Sequence, residues 1–319
     1  MSKTAFLFPG QGSQTVGMGR DLARAFPVAQ QTFEEANDAL GFNLAELCWN
    51  GPEEQLRLTE FTQPAIFTVS VAALRVLAAA GVTADYLAGH SLGEYSANVA
   101  ADSIEFAAGA RTVRRRGQLM QQAVPAGQGA MAAILGMAPD SVAAICQEVV
   151  EELAAPVEPA NMNTPEQTVI SGATAAVERA VVLARERGAK RAVLLQVSAP
   201  FHCSLMQPAQ DALSPILQSI PFSSAKVPIA INVDARLVSD GNALRDALVR
   251  QVTGAVRWTE SMQLLIAEGV TTFVEVGPGK VLSGLLRQID RTQKCAHVED
   301  PASLEKLLAV PGPGNMRDG

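Results

Sequence analysis

Histidine and cysteine are scarce in this chain of 319 residues, which contains three histidines and four cysteines. The cysteines form no Cys-x-x-Cys pair and have no spacing to histidine that suits zinc; they are Cys48, Cys146, Cys203 and Cys295. We therefore expect reduced thiols, no bound metal and a cytoplasmic location.

Positive charge and long hydrophobic runs are also lacking. The 25 Lys+Arg stand against 32 Asp+Glu, and the formal net charge of −7 argues against nucleic acid or an anionic membrane as a general partner. The first apolar segment, of about four residues, is too short for a signal peptide, and we expect no stretch of the roughly 18 apolar residues that a membrane span needs. An anionic ligand must then meet a local basic patch. The densest such patch, part of which is expected to be only a solvated helix face, consists of Arg111, Arg114, Arg115 and Arg116.

The most informative motif is Gly89-His90-Ser91-Leu92-Gly93. An apolar segment at 85–88 leads into it and a helix-like pattern leads out, which is the strand, turn and helix order of a nucleophile elbow. The glycines allow a tight turn that exposes the serine hydroxyl, and the helix N-terminus offers N–H groups to a developing negative charge. We predict that Ser91 is a nucleophile; a purely structural turn is the alternative.

A second turn-rich loop, at 9–14, follows the first predicted strand. Its glycines resemble the start of a dinucleotide fingerprint, but Thr15 stands where the third glycine would be needed, which argues against a Rossmann site. Such a loop also lets the backbone approach a ligand closely, so Gln11 is our candidate for a backbone N–H donor.

Strand-like and helix-like segments alternate along most of the chain, which predicts an α/β fold with a parallel sheet covered by helices on both faces. Between 128 and 197 the order becomes strand-helix-strand-strand-helix-strand, the ferredoxin-like βαββαβ order. We therefore predict an α/β-hydrolase-like catalytic domain formed by 1–127 and 198–310, an inserted ferredoxin-like subdomain at 128–197, and a frayed tail at 311–319.

A serine nucleophile needs a base, and the choice is among three histidines. His90 should point away from Ser91, and His297 lies near the C-terminus, so both are expected to be structural. His202 follows an apolar strand, where open α/β sheets present their active sites, and we predict that it is the base. The group that orients the histidine, the third member of a catalytic triad, stays open. Asp234 is one candidate, although it can equally be a turn-capping residue, and a carbonyl group can also accept the Nδ1–H of the histidine.

Ordered motifs across about 5–290 resemble the malonyl-CoA:acyl carrier protein transacylase family. They are Phe8-Pro9-Gly10-Gln11-Gly12-Ser13-Gln14, Gly89-His90-Ser91-Leu92-Gly93-Glu94-Tyr95-Ser96, Arg116-Gly117, Pro200-Phe201-His202, Asn232-Val233-Asp234 and Glu275-Val276-Gly277-Pro278-Gly279. The family's glycine-containing turn is absent at Ala101-Asp102-Ser103.

The resemblance implies a role for each matching residue. Ser91 would carry the acyl group, His202 would be the base, and the backbone amides of Gln11 and Leu92 would form the oxyanion hole. Arg116 would pair with the malonyl carboxylate, and Gln251 would orient the histidine through a carbonyl. Phe201 matches members that prefer malonyl. Asn161 and Asn163 match positions that face the cleft, although a role in a strand-end turn is the alternative for both.

The implied reaction is a ping-pong transfer of malonyl from malonyl-CoA to the phosphopantetheine thiol of acyl carrier protein, without a cofactor, for fatty acid or polyketide synthesis. We expect a monomer. An acyl hydrolase or editing enzyme on the same elbow, and a carrier-binding subunit without turnover, are the alternatives. Local basic residues would dock the acidic carrier; the candidates are Lys190, Arg191, Arg287 and Arg291.

Overall fold

The computed structural model describes residues 2–197 and 199–309, so the tail predicted to fray lies outside the described residues. The strands are β1 (Lys3–Phe8), β2 (Tyr86–Gly89), β3 (Gly129–Leu135), β4 (Val157–Thr164), β5 (Gln167–Ala173), β6 (Arg191–Leu194), β7 (Ile229–Ile231), β8 (Arg236–Val238), β9 (Val270–Val276) and β10 (Cys295–Val298). The helices are α1 (Arg20–Ala25), α2 (Pro27–Leu40), α3 (Leu44–Asn50), α4 (Glu53–Leu56), α5 (Thr59–Ala79), α6 (Gly93–Ala100), α7 (Phe106–Gln122), α8 (Pro139–Leu153), α9 (Thr174–Glu186), α10 (Gln207–Gln218), α11 (Gly241–Arg250), α12 (Trp258–Ala267), α13 (Val281–Ile289) and α14 (Pro301–Ala309).

The larger sheet has the strand order β10-β9-β1-β2-β7-β8. All neighbouring pairs are parallel except β7 with β8, which form an antiparallel hairpin. The register pairs Phe8 with Gly89 and Leu7 with Glu275, so the carboxyl ends of β1, β2 and β9 meet at one edge. The predicted α/β fold with a parallel sheet is confirmed, and its active edge is the one where Gly89 ends β2.

The smaller sheet has the order β4-β5-β3-β6 with antiparallel neighbours. Helices α8 and α9 bury their apolar sides against it, for example through Val149 and Val177, in a core separate from that of the larger sheet. This is the arrangement expected for a βαββαβ unit. The bounds 128–197 stay a prediction.

Helix α5 is the most deeply buried long helix near the site. By length and composition alone it could cross a membrane, which the sequence patterns did not single out. Yet 78% of the apolar window is buried inside the protein, as in the core helix of a globular domain. Phe67 of α5 stacks on Phe106 of α7 with ring centroids 5.3 Å apart, and this packing fixes the helix that carries Arg116.

Some elements had no clear sequence pattern. Helices α3, α4 and α14 and strand β10 follow no periodic pattern in the sequence. Helix α3 begins where the side chain of Asn43 accepts the N–H of Glu46. After His202 the chain forms a 3₁₀ turn at Ser204–Met206, which leads directly into α10. At the turn that lacks the family glycine, Asp102 itself adopts a left-handed conformation, with φ of 56°, which Asp tolerates better than most residues.

Candidate active site

Ser91 lies at the apex of a sharp turn between β2 and α6. Its φ is 51°, a left-handed conformation that costs energy for a residue with a Cβ. Asn232, directly after β7, holds both sides of this turn: its Oδ1 accepts the N–H of Ser91 at 2.8 Å, and its Nδ2 donates to the Gly89 carbonyl at 2.7 Å. These two bonds satisfy buried backbone groups only when the turn is closed, and so stabilise the strained conformation.

The flanking glycines allow the strand and the helix to approach each other. A Cβ on Gly89 would lie 1.9 Å from the carbonyl carbon of Gly93, and one on Gly93 would lie 2.0 Å from the Phe8 carbonyl oxygen. Both obstacles are backbone atoms, which cannot move aside as a flexible side chain can. The elbow therefore requires glycine at both positions.

His202 is bonded to Ser91 and to two backbone carbonyl groups. Its Nε2 lies 2.7 Å from the Ser91 Oγ, while its Nδ1 lies 2.9 Å from the Gln251 carbonyl oxygen and 3.1 Å from that of Gly254. Because a carbonyl oxygen can only accept, Nδ1 carries the proton and donates it to these two oxygens. The lone pair of Nε2 then faces the serine hydroxyl.

The environment keeps this imidazole neutral. Burial, and second the positive charge of Arg116, lower the pKa of His202 to about 3, against the opposing effect of its carbonyl partners. A neutral imidazole at neutral pH can take a proton from Ser91. Asp234 does not supply the third member: its carboxylate accepts two hydrogen bonds from Arg250, at 2.8 and 2.9 Å, and these bonds lower its pKa.

Arg116 is buried, with 1% of its surface exposed. Its Nη1 donates to Gln63 Oε1 at 3.0 Å, and its Nη2 donates to Gln251 Oε1 at 3.0 Å and to Ser91 Oγ at 3.2 Å. Burial lowers its pKa. Within the described residues it forms no salt bridge. A cation held by neutral acceptors 3.2 Å from Ser91 is suited to an anionic substrate group.

The other arginines of the basic run do not join it. Arg114 donates to the Leu40 carbonyl and lies over the Phe42 ring, Arg115 donates to Gln118, and Arg111 is exposed. The helical period turns neighbours to different faces, so the expected basic patch is one buried arginine with three others pointing elsewhere.

A cleft of about 470 Å³ opens over Ser91. Gln11 and Leu92 line it, and their backbone N–H groups donate no hydrogen bond within the part of the chain that the structure describes. Apolar walls come from β3, β5, α13 and the loop after β6; they include Met131, Val169, Leu285 and Phe201.

Asn161 and Asn163 reach the cleft from β4. The Asn163 Oδ1 lies 2.8 Å from His90 Nε2, and the His90 ring lies against Trp258 with centroids 5.4 Å apart. Asn161 forms an isolated bridge with Val256. His90 thus faces the smaller sheet, while His297 lies outside the cleft near Glu299.

Sequence reasoning gave no role to three buried side chains around Ser91. Gln63 and Glu94 bind Arg116 and Gln251 respectively, and the Asn232 side chain holds the elbow. Asn232 and Glu94 stood inside quoted motifs, which was a usable signal. Gln63, near the start of the largely apolar helix α5, was marked only by its polarity.

This fold and site define an acyl-transferring enzyme: a serine on an elbow, a neutral histidine bonded to it, and a cleft large enough for an acyl group. The Acyl transferase domain family matches residues 5–306, and the chain belongs to that family.

Its relatives share one activity in their names. The chain is 48% identical over 308 residues to the malonyl CoA-acyl carrier protein transacylase of Bacillus subtilis, covering 97% of each chain. An acyl carrier protein S-malonyltransferase from Vibrio cholerae superposes with a TM-score of 0.94 at 48% identity, over 96% of this chain and all of that one. A malonyl-transacylase in complex with its type II PKS acyl-carrier protein superposes at 0.93 and 48% identity, over 96% and 99% of the two chains. These names support a transferase and not the hydrolase alternative.

Gly89→Ala should destabilise the protein by about 3 kcal/mol or more, because the new methyl group meets backbone atoms. The matched control is Gly284→Ala in α13, where a Cβ meets nothing within 4 Å; it should leave stability unchanged or raise it by up to about 1 kcal/mol. Denaturant unfolding measures both. Equal stability of the two variants would contradict the close approach described for the elbow.

Proposed function

We propose that this chain transfers a malonyl group from malonyl-CoA to the phosphopantetheine thiol of an acyl carrier protein, through a malonyl ester of Ser91. The observation that carries the proposal is the buried Arg116, whose Nη2 lies 3.2 Å from the Ser91 Oγ that His202 contacts. A carboxylate two bonds beyond the reacting carbonyl is the group such a cation selects. The names of relatives at 48% identity support the same substrate.

In the first half-reaction, Ser91 Oγ attacks the thioester carbonyl carbon while His202 Nε2 takes the hydroxyl proton. The negative charge that develops on the carbonyl oxygen is stabilised by the N–H groups of Gln11 and Leu92, each such donor being worth about 3 to 4 kcal/mol. The carbon–sulfur bond then breaks, and coenzyme A leaves as a thiol with the proton from His202.

In the second half-reaction, the carrier's thiol attacks the malonyl ester and His202 takes its proton. The ester bond breaks and the proton returns to Ser91 Oγ, which restores the enzyme. Because the thioester already carries an activated acyl group, the residues of the site need no further cofactor. The product is an extender unit for fatty acid or polyketide synthesis.

Selectivity follows from the cost of leaving a buried cation unpaired. A hydrogen bond to a charged group contributes about 1.5 to 3 kcal/mol, or roughly ten- to 150-fold. Arginine can hold a carboxylate through two parallel N–H groups. Acetyl-CoA lacks that carboxylate and should be rejected by at least this factor.

Carrier docking is assigned to the rim formed by the outer end of α13. Its inner end lines the catalytic cleft through Leu285, while Arg287 and Arg291 line an adjoining depression of about 620 Å³ together with Glu166. Among the other candidates, Lys190 is paired with Glu166 at 3.0 Å. Arg287 on α13 and Arg291, just beyond its end, are the arginines that we assign to an acidic partner.

We also propose that the enzyme works in the cytoplasm as a monomer. The cysteines, Cys48, Cys146, Cys203 and Cys295, are free thiols, which fits a reducing compartment.

The intact protein should gain one malonyl mass with malonyl-CoA, because Ser91 retains the acyl group until a thiol arrives. Mass spectrometry should detect the adduct before holo carrier protein is added and no longer detect it afterwards. The Ser91→Ala variant should form no adduct. If the adduct decays in buffer alone as fast as with carrier protein, the chain is a hydrolase. If no adduct forms at all, it is a binding subunit without turnover.

Arg116→Ala should lose most of the preference for malonyl-CoA over acetyl-CoA, by roughly ten- to 150-fold in the ratio of kcat/KM values, while some acetyl transfer remains. Arg115→Ala, on the same helix but exposed, is the control and should keep the wild-type ratio. An Arg116→Ala enzyme that still strongly prefers malonyl would refute the assignment.

Arg291→Glu should raise the KM for carrier protein by about three- to tenfold at low salt, because charge reversal repels an acidic partner, and the effect should shrink at high ionic strength. Arg24→Glu on α1, also exposed, makes the same change in net charge and should not alter KM. Similar KM values for both variants would show that the carrier protein docks on another surface.

A further inference from the structure

Glu94 is a completely buried carboxylate directly behind the elbow, to which the mechanism above gives no task. It is the second residue of α6. Its Oε2 accepts the Asn232 backbone N–H and the Gln251 Nε2, each at 2.9 Å. Gln251 therefore connects this carboxylate to the rest of the site.

The Gln251 side chain stands between an anion and a cation. At one end its Nε2 donates to Glu94 and, at 3.0 Å, to the Ser91 carbonyl oxygen. At the other end its Oε1 accepts from Arg116 Nη2 at 3.0 Å. One amide thus separates Glu94 from Arg116, and no carboxylate of the described residues touches the guanidinium directly.

This order of groups fixes the amide in one orientation. A carboxylate can only accept and a guanidinium can only donate, so the nitrogen end of Gln251 must face Glu94 and the oxygen end must face Arg116. The spacing also matters, because a direct salt bridge would occupy the N–H groups that a substrate carboxylate needs. An amide in between transmits the negative charge while leaving the fork of Arg116 available.

We propose that Glu94 is a positioning residue, the amide-separated counter-ion of Arg116, which acts through Gln251 to hold the guanidinium in the pose that selects a carboxylate-bearing acyl group. The inference rests on the proposed malonyl transfer.

The charges support this pairing. Burial raises the pKa of Glu94 to about 7, and the positive charges of Arg116 and Arg250 act in the opposite direction. Burial lowers the pKa of Arg116, and Glu94 acts against that shift as well. Each group thus stabilises the charged form of the other in a site with little water.

The test is Glu94→Gln, which keeps the shape and removes the charge. A glutamine offers both a donor and an acceptor, so Gln251 is no longer held in one orientation. The ratio of kcat/KM for malonyl-CoA to that for acetyl-CoA should fall about tenfold, within the range for coupling between contacting groups. Catalytic steps common to both substrates cancel in this ratio, so a merely structural role would not move it.

The same substitution in an Arg116→Ala background should cause no further fall, because the group it acts on is gone. An unchanged ratio in Glu94→Gln, a higher ratio, or an equal fall in both backgrounds would overturn the inference. The wild-type enzyme in the same assay distinguishes failure of this inference from failure of the proposed function. If the wild-type enzyme does not transfer malonyl at all, the proposed function itself fails.

Should Glu94→Gln not fold, protonation makes the same change in the wild-type enzyme. The groups around Glu94 keep their charge from pH 9 to 5: Arg116 and Arg250 stay cationic, Tyr95, whose pKa is raised to about 12, stays neutral, and His202, at about 3, stays neutral. The malonyl-to-acetyl ratio should therefore fall as pH drops through about 7. A flat ratio over this range overturns the inference.

Discussion

The site depends on the Gln251 carbonyl, at the C-terminal cap of helix α11, and on the Gly254 carbonyl in the turn that follows; both accept the Nδ1–H of His202. The last carbonyl groups of a helix have no partner inside it, and they carry the negative end of its dipole. They can therefore orient the imidazole and stabilise the positive charge it gains when it takes the serine proton. A helix end does here what a carboxylate does in a Ser-His-Asp triad.

This replacement has a consequence for Arg116, which lies 3.2 Å from Ser91. A full carboxylate beside His202 would be close enough to pair with that arginine and reduce its attraction for a substrate anion. Neutral carbonyl groups orient the histidine without this competition. Glu94, the one carboxylate that the described part of the chain places near this arginine, is kept one amide away by Gln251. Base catalysis and carboxylate recognition can thus share one small site.

The elbow and the α/β order were predictable because both follow from local rules: glycines at a tight turn, and apolar segments alternating with helices. His202 was proposed from the end of an apolar strand, but the strand before it, β6, lies in the antiparallel smaller sheet and ends at Leu194. The loop after β6, and not an end of the parallel sheet, brings His202 to Ser91. The choice of partners could not be read in this way. Asp234 also follows a strand, but its nearest cation is Arg250 on α11, and only the packed fold decides that pairing. Gln63 was marked only by its polarity in an apolar helix, and no periodic pattern marked the short helices before α5.

The smaller sheet forms a wall of the cleft because β4 is fixed to the larger domain. The Met162 N–H donates to the Val256 carbonyl at 2.9 Å, and the Val256 N–H donates to the Ala160 carbonyl at 2.8 Å; next to them, Asn163 contacts His90 of the elbow itself. This attachment brings apolar side chains of β3 and β5 over Ser91. In the proposed reaction, the malonyl ester on Ser91 would lie under these apolar side chains. Such an apolar cover would disfavour attack by water in the proposed transfer, which the Ser91–His202 pair alone would not do.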